Sequence, residues 1–318
     1  MKLKEIYEIA IKRGLRKDPR SKAAIGKVLS DARKEYGKLS ARAKKSFDKE
    51  RFKHPYDDTR ILHGDLTRDV KTILIGIDME VGELVLADRM IEKGVGIDLV
   101  MAHHPEGKAL AGFYHVMGMQ VDILEKLGIE EEIGKDLLKE RMAEVARNVS
   151  AANHMRAVDA ARLLDIPFMC VHTPADNHVT SYLQNLFDRK KPKTVGNVME
   201  ILRGIPEYEI ASGKNAGPFV LLGKEKDKAG KIAVDMTGGT EGSQRVFPRL
   251  SQAGVGTIIG MHFSEKHYTS AQKEHINIIV AGHISSDNLG LNLLLDELCK
   301  KEDLEIIPCS GFERVSRR

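Results

Sequence analysis

The sequence predicts an α/β protein built from two successive series of strands and helices. Short apolar runs recur along the 318-residue chain, and stretches with helical periodicity separate them. A second series follows the first after residue 230, which indicates an internal repeat. Hydrophobic residues make up 42% of the chain, so it is able to build a sizeable core.

The first 54 residues are strongly basic. They hold 18 lysine and arginine residues against 7 aspartate and glutamate residues, a balance of +11 in a chain whose net charge is +4. Apolar residues at helical spacing predict two or three helices, so we assign residues 1–60 to a basic helical N-terminal arm. One interpretation is a surface for nucleic acid or an acidic protein. The other, which we favour, is a solvated helical pair that packs on the body or on a neighbouring subunit.

The first α/β half is predicted over residues 61–189. Its strands and helices alternate in the order typical of a largely parallel or mixed sheet. The predicted elements are a strand at 71–77, a helix around 85–91, a strand at 97–101, helices at about 108–128 and 131–164, and a strand at 166–171.

Residues 190–230 are rich in lysine and glycine and are predicted to form a small inserted module, with a short strand at 218–222. The second α/β half is predicted over residues 231–318. Its expected elements are strands at 231–234, 257–260 and 276–281, and a leucine-rich helix at 289–298.

A glycine-rich turn follows the strand at 231–234. Backbone N–H groups in such a turn are able to bind an anion, so Gly238, Gly239 and Thr240 are candidate anion-binding residues. The spacing fits neither the P-loop nor the dinucleotide fingerprint, and a plain turn is the alternative.

Histidines stand at the ends of the predicted strands. The clearest cases are His103 with His104, His172 with Asp176, and His283 with Asp287. Because ligands of open α/β sheets gather beyond the carboxyl ends of the strands, we expect these side chains to meet. The alternatives are that one histidine of the pair ends its strand while the other is solvated, and that Asp176 caps the following helix.

Three imidazoles and two carboxylates form a mixed nitrogen and oxygen ligand set. Its members are His103, His104, Asp176, His283 and Asp287. This set suits Zn, Fe, Mn or Co ions and is too rich in nitrogen for Ca or Mg. Five ligands exceed the need of one tetrahedral site, so two divalent ions about 3.5–4 Å apart are expected. Such ions lower the pKa of water from about 15.7 toward about 7, which predicts a metal-dependent hydrolase.

The composition excludes several classes of protein. Three unpatterned cysteines argue against a disulfide framework, and we expect a reducing compartment. No run approaches the roughly 18 apolar residues of a membrane helix, and the N-terminus lacks the apolar centre of a signal peptide. Aromatic residues are only 5%, with no tryptophan, which disfavours stacking on single-stranded nucleic acid. We therefore expect a cytoplasmic protein without membrane contacts.

The histidine motifs resemble those of the Nif-three-like dinuclear-metal hexameric family, some of whose members are described as GTP cyclohydrolase type 2-like. The resemblance covers roughly residues 65–318. It rests on His-His-Pro at 103–105, His-Thr-x-x-Asp at 172–176 and Gly-His-x-x-x-acid at 282–287. Matched residue by residue, it implies the same five metal ligands, whereas His172 matches a motif residue that is not a usual ligand.

The resemblance also implies two similar α/β halves with mixed sheets, assembled as a toroidal hexamer. This chain departs from the family pattern at two places. The closing acid is Asp287 instead of the usual glutamate, and Gly260-Met261-His262 replaces the usual Thr-Gly-Asp segment. The second departure makes His262 or His267 the candidate catalytic acid or base.

Our leading hypothesis is a metal-dependent hydrolase that acts on a nucleotide-like or other phosphorylated small molecule. The family description implies ring opening of GTP, although the sequence shows no guanine-reading motif. The alternative is a non-catalytic, metal-binding regulatory or scaffold ring that contacts protein or nucleic acid. A third hypothesis is metal storage or delivery.

Overall fold

The protein, described over residues 1–317 by a computed structural model, has two mixed β-sheets surrounded by helices. The first sheet has the strand order β1-β4-β3-β2-β9, and only β1 runs antiparallel to its neighbour. Its strands are β1 (Arg60–His63), β2 (Thr72–Gly76), β3 (Leu99–Ala102), β4 (Phe168–Cys170) and β9 (Glu305–Pro308).

The second sheet repeats this arrangement. Its order is β5-β8-β7-β6, and again only the edge strand that comes first in the chain, β5, runs antiparallel to its neighbour, β8. The strands are β5 (Phe219–Leu222), β6 (Lys231–Asp235), β7 (Val255–Gly260) and β8 (Asn277–Val280). The prediction of two similar α/β halves with mixed sheets is therefore confirmed. The predicted domain limits, including the module at 190–230, stay predictions, and β5 lies at the edge of the second sheet.

Helices connect the strands and cover both faces of the sheets, which is why β2 and β3 are buried along their whole length. Within residues 1–317 no helix is both long and apolar enough to cross a membrane. The helices are α1 (Leu3–Lys17), α2 (Lys22–Lys38), α3 (Ala41–Ser46), α4 (Val81–Glu92), α5 (Gly107–Ala111), α6 (Met119–Leu127), α7 (Glu131–Ser150), α8 (Arg156–Leu163), α9 (Thr173–Lys190), α10 (Val195–Arg203), α11 (Pro206–Gly213), α12 (Phe247–Gln252), α13 (Glu265–Lys273) and α14 (His283–Cys299).

The N-terminal segment is only partly an arm. The predicted helices are present, but α1 buries Leu3, Ile6 and Ala10 completely in the core of the first half. By contrast, α2 buries only Ala32 among its 17 residues. The favoured interpretation has two parts, a solvated helical pair and packing on the body. Helix α1 is the part that packs on the body, and α2 and α3 are the solvated part.

Two helices are exchanged between the halves. Helix α9 follows β4 of the first sheet, but its Val179 and Leu183 lie in the core beneath the second sheet. Helix α14 follows β8 of the second sheet, but its Leu294 and Leu298 lie in the core of the first. Both helices therefore begin between the two sheets, where the carboxyl ends of the strands of both halves meet.

The exchange brings the two backbones very close together. A Cβ atom on Gly290 of α14 would lie 2.5 Å from the carbonyl oxygen of Ala175 in α9. On another side of α9, a Cβ atom on Gly14 of α1 would lie 2.6 Å from the Cβ atom of Pro174. Glycine is required at both contacts because the opposing atoms belong to backbone or to a rigid ring.

We expect Gly290→Ala to lower the free energy of unfolding by about 1–3 kcal/mol, because a backbone carbonyl gives way less easily than a flexible side chain. Gly26→Ala is the matched control in solvated α2, where a Cβ atom meets nothing within 4 Å. It should raise the stability by about 0.5–1 kcal/mol. Urea unfolding followed by circular dichroism measures both, and equal effects would contradict the close-packing argument.

Candidate metal centre

The five predicted ligand residues come together at the junction of the two halves. His103 and His104 directly follow β3, and Asp176 lies in the first turn of α9. His283 and Asp287 lie one turn apart at the start of α14. The helix exchange explains this meeting, because it places the first turns of α9 and α14 beside the end of β3.

Asp287 is the central group of the cluster. Its Oδ1 atom lies 3.3 Å from Nε2 of His103, and its Oδ2 atom lies 3.5 Å from Nε2 of both His104 and His283. Asp176 completes the set, with Oδ1 at 3.4 Å from Nε2 of His103. Each oxygen of Asp287 thus faces a different part of the cluster.

Within residues 1–317, three overlapping groups have ligand atoms close enough together to hold a metal ion. In each group these atoms lie within 4.8 Å of one another. The groups are His103 with His104 and His172, His104 with His283 and Asp287, and His103 with Asp176 and Asp287.

The chemistry of the cluster fits a metal. Four of its buried atoms have no hydrogen-bond partner: Nε2 of His103, Oδ1 of Asp176 and both carboxylate oxygens of Asp287. Buried polar atoms are rarely left unpaired, because desolvation without a partner is costly. All four point toward the shared space between the residues, and a cation there would satisfy them.

Hydrogen bonds orient the imidazoles toward that space. Nδ1 of His103 lies 3.1 Å from the carbonyl oxygen of Val171, which only accepts, so Nδ1 carries the proton and Nε2 presents its lone pair. Nδ1 of His104 lies 2.6 Å from Oδ1 of Asp78. A carboxylate behind a histidine in this way fixes the ring of a metal ligand and raises its basicity.

His172 also faces the cluster, but its ring is fixed by a different carboxylate. Its Nδ1 atom lies 2.8 Å from Oδ2 of Asp58 and 3.4 Å from Oδ2 of Asp176. Asp58 also accepts a hydrogen bond of 2.5 Å from the hydroxyl of Thr173. Burial raises the pKa of the Asp58 carboxyl, but these partners outweigh burial and keep the pKa below its usual value.

The same balance governs the central carboxylate. Burial raises the pKa of Asp287, but the imidazoles of His103 and His104 overcome this effect and hold the pKa far below its usual range. Burial likewise lowers the pKa of His104, whereas the nearby carboxylates of Asp287 and Asp78 raise that pKa to about 9. Asp287 is thus an anion at neutral pH.

The histidines predicted in the second half lie beside this centre. The ring of His262 lies 5.0 Å from that of His283, and its Nδ1 atom lies 3.1 Å from Oε1 of Glu241. His267 is buried, and both of its ring nitrogens are hydrogen bonded, to the hydroxyl of Ser264 and to the carbonyl of Gly242.

The glycine-rich turn forms one wall of a small cavity at the centre. Gly238 and Gly239 have φ angles of +98° and +87°, and the Gln120 side chain donates hydrogen bonds of 2.8 Å to the carbonyls of Gly238 and Thr240. Gly239 and Thr240 line a cavity of about 60 Å³. The cavity is also lined by His172, Asp176, Glu241, His262 and His283.

Sequence reasoning missed the three carboxylates that hold histidine rings at the centre. They are Asp78 behind His104, Asp58 behind His172 and Glu241 behind His262. Asp78 carried a usable signal, since it follows the end of β2, the neighbour of β3 in the sheet. Asp58 precedes β1 and Glu241 lies inside the glycine-rich turn, so neither stands at a strand end that would have marked it.

No family model matches the sequence, and a search of curated proteins finds no match. Among solved structures, the chain is similar to a NIF3 superfamily protein from Sphaerobacter thermophilus, with 26% identity and a TM-score of 0.69 over 80% of this chain and 92% of that one. It also matches reduced HcgD from Methanocaldococcus jannaschii, with 19% identity and a TM-score of 0.46 over 78% of this chain and 87% of that one. A match to Staphylococcus aureus protein SA1388 has 13% identity and a TM-score of 0.42 over 79% and 89% of the two chains.

These findings define the chain as a mixed α/β protein with a buried His/Asp cluster that is able to hold a metal ion. Its fold is NIF3-like, and the proteins that it resembles in structure are NIF3 superfamily proteins. This agrees with the family resemblance of the three histidine motifs.

We expect the paired variant His103→Ala/His283→Ala to lose bound metal, because each substitution removes a nitrogen ligand from the cluster. Metal at 100 times its dissociation constant should raise the free energy of unfolding of the wild-type protein by about 2.7 kcal/mol. The same metal concentration should leave the stability of the variant unchanged. Elemental analysis and thermal unfolding with and without Zn, Mn or Co measure both effects.

The control is His115→Ala, since His115 lies outside the cluster and pairs with Asp57 at 2.9 Å. It should keep the full metal content and the metal-induced stabilisation. Full metal content in the paired variant would contradict the assignment of the cluster.

Proposed function

We propose that the cluster holds two divalent transition-metal ions and that the protein is a metal-dependent hydrolase. The observation that carries this proposal is the position of Asp287. Its two buried oxygens face His103 on one side and His104 with His283 on the other, so this one carboxylate would be shared by the ligands of two ions. We assign metal-ligand roles to His103, His104, Asp176, His283 and Asp287.

When bound, such ions activate water and polarise a phosphoryl or carbonyl oxygen. The residues of the chain hold and protonate the reacting groups. Glu241 keeps the proton of His262 on Nδ1, which leaves Nε2 free to take a proton from a nucleophile or return it to a leaving group. His267, whose ring nitrogens are both hydrogen bonded, holds the loop that carries Glu241 in place.

The substrate class in this proposal is a nucleotide-like or other phosphorylated small molecule. It is supported by the glycine-rich turn, whose Gly239 and Thr240 line the cavity beside the cluster, because such turns bind anions. The resemblance to GTP cyclohydrolase type 2-like proteins makes GTP the first compound to test. The toroidal hexamer implied by the same resemblance belongs to this proposal.

We expect Asp287→Asn to be nearly inactive, because it removes the negative charge that two sets of imidazoles share. Asp287→Glu should stay metal-loaded but lose about 100-fold in rate, the effect of moving a catalytic group by about 1 Å. Asp136→Asn, at an exposed position of α7, is the control and should behave as wild type. Metal content and turnover on a panel of phosphorylated nucleotides measure these outcomes, with chelator-treated protein as a blank.

A fully metal-loaded wild-type protein that turns over nothing on this panel would contradict the hydrolase proposal. The scaffold or regulatory function would then take its place. A protein that releases its metal to a partner, without turnover, would instead support storage or delivery.

A specific observation favours a second candidate function, the binding of double-stranded nucleic acid by α2 and α3. Residues 22–46 hold eight lysine and arginine residues against two acidic residues, a balance of +6. Lys38, Arg42 and Lys45 are exposed, and within residues 1–317 none of them has a carboxylate within 4.0 Å. An uncompensated basic surface of this kind is the electrostatic signature of phosphate-backbone contact.

We expect Lys38→Glu/Arg42→Glu/Lys45→Glu to weaken binding of a 20-base-pair duplex at least tenfold and to flatten the salt dependence, since each lost phosphate contact reduces the slope by about 0.9. The control, Lys226→Glu/Lys228→Glu/Lys273→Glu, makes the same charge change on the exposed surface of the second half. Fluorescence anisotropy at several salt concentrations separates the two. Equal effects of the two triple variants would show that only net charge matters.

A further inference from the structure

A second cavity, of about 460 Å³, lies between α1, the edge strand β1 and the segment that joins α3 to β1. It shares no lining residue with the cavity at the metal centre. We propose that this cavity binds an amphipathic small-molecule anion, with an apolar body between α1 and β1 and a carboxylate or similar head group held by lysines at the rim.

The walls of the cavity are mainly apolar. Helix α1 contributes Tyr7, Ile11 and Leu15, which recur at helical spacing and thus share one face. On the other side lie Ile61 and Leu62 of β1 and Leu66 of the turn after it. Leu66 is 47% exposed, so its side chain is accessible at the mouth of the cavity. A cavity of 300–1,000 Å³ with such walls is the usual form of a small-molecule site.

The edge position of β1 explains why the space is open. No strand pairs with the outer edge of β1 among residues 1–317, and the chain turns away at Gly64, where φ is +119°. A Cβ atom there would lie 2.9 Å from the Cβ atom of Pro167, so this turn depends on glycine. The strand has only four residues and a register shift between Ile61 and His63, which makes it a poor template for adding a further strand.

The floor of the cavity is formed by polar groups that are paired within the protein. The hydroxyl of Tyr7 donates to the carbonyl of Thr59 at 3.1 Å and lies 2.8 Å from Nε2 of His54. Nδ1 of His54 accepts a hydrogen bond from the backbone N–H of Tyr56 at 3.2 Å, so Nε2 carries the proton and donates to Tyr7. Burial lowers the pKa of His54, which keeps the ring neutral. Arg60 also lines the cavity, but its guanidinium is already paired with two carboxylates, at 2.8 Å and 2.9 Å, so the positive charge at this end is neutralised within the protein.

The rim supplies the counter-ions. Lys4 and Lys53 line the cavity, but each is paired with a carboxylate, Glu8 at 3.7 Å and Glu50 at 2.7 Å. Two further lining residues, Lys12 and Lys108, have no carboxylate within 4.0 Å among the described residues. Two unneutralised ammonium groups beside an apolar cavity are complementary to an anion that carries an apolar body.

The test uses the 318-residue protein as purified, with decanoate as the probe, and measures binding by isothermal titration calorimetry. We expect saturable binding of one decanoate per chain. Lys12→Gln/Lys108→Gln removes the rim charges, and Leu66→Asp places a like charge at the apolar wall. Each variant should raise the dissociation constant about tenfold or more, and both change exposed side chains, so folding should be preserved.

The matched controls are Lys22→Gln/Lys193→Gln and Leu163→Asp, which change exposed residues of the same types away from the cavity. They should leave decanoate binding within twofold of wild type. Decylamine and decyl phosphate complete the panel: decylamine should not bind, and decyl phosphate distinguishes a phosphate head group from a carboxylate.

Three outcomes would overturn the proposal. The first is no saturable binding of either anion to the wild-type protein, and the second is equal binding of decylamine. The third is a dimer, detected by analytical ultracentrifugation, that Leu66→Asp dissociates, because the apolar wall would then be a contact between copies of the chain.

Discussion

The close packing of α9 against α14 is the constraint on which the rest of the structure depends. Each helix starts from one sheet and buries its apolar face in the core of the other half, so the halves cannot separate without exposing both cores. The backbones meet where Gly290, one turn after Asp287, faces Ala175, the residue directly before Asp176. The contact that joins the halves therefore also sets the separation of the two carboxylates.

The sequence predicts the strand ends well, because strands buried on both faces appear as continuous apolar runs that stop where polar residues begin. It does not predict β1 and β9, whose residues are only partly buried and so lack that pattern. The helix exchange is also hidden: leucines at helical spacing show that α14 buries a face, but they do not say against which sheet. Charge counting does not show how deeply α1 is buried, since its three lysines are exposed while Leu3 and Ile6 lie in the core.

The five cluster residues could be predicted because each one occupies a fixed distance from a strand end. Their carboxylate partners could not, because Asp58 and Glu241 reach the centre from a loop and a turn whose paths are set by tertiary packing. Asp58 illustrates this point: it is fully buried and holds His172 and Thr173, yet it lies more than 100 residues away from both in sequence.

The repeat of the two halves explains why the centre has two chemically different sides. After β3 comes His104, with its Nδ1 atom on Asp78, and at the matching position after β7 comes His262, with its Nδ1 atom on Glu241. The centroids of both rings lie close to that of His283, at 5.2 Å and 5.0 Å, so His283 lies between two equivalent histidine–carboxylate pairs.

The residues that precede these two histidines in the chain differ. His103 precedes His104, whereas Met261 precedes His262. A thioether in place of an imidazole supplies no strong ligand for a divalent ion. In the proposed hydrolase, the metal ligands would therefore gather around Asp287 on the side of the first half, and the oriented histidine of the second half would be left for proton transfer.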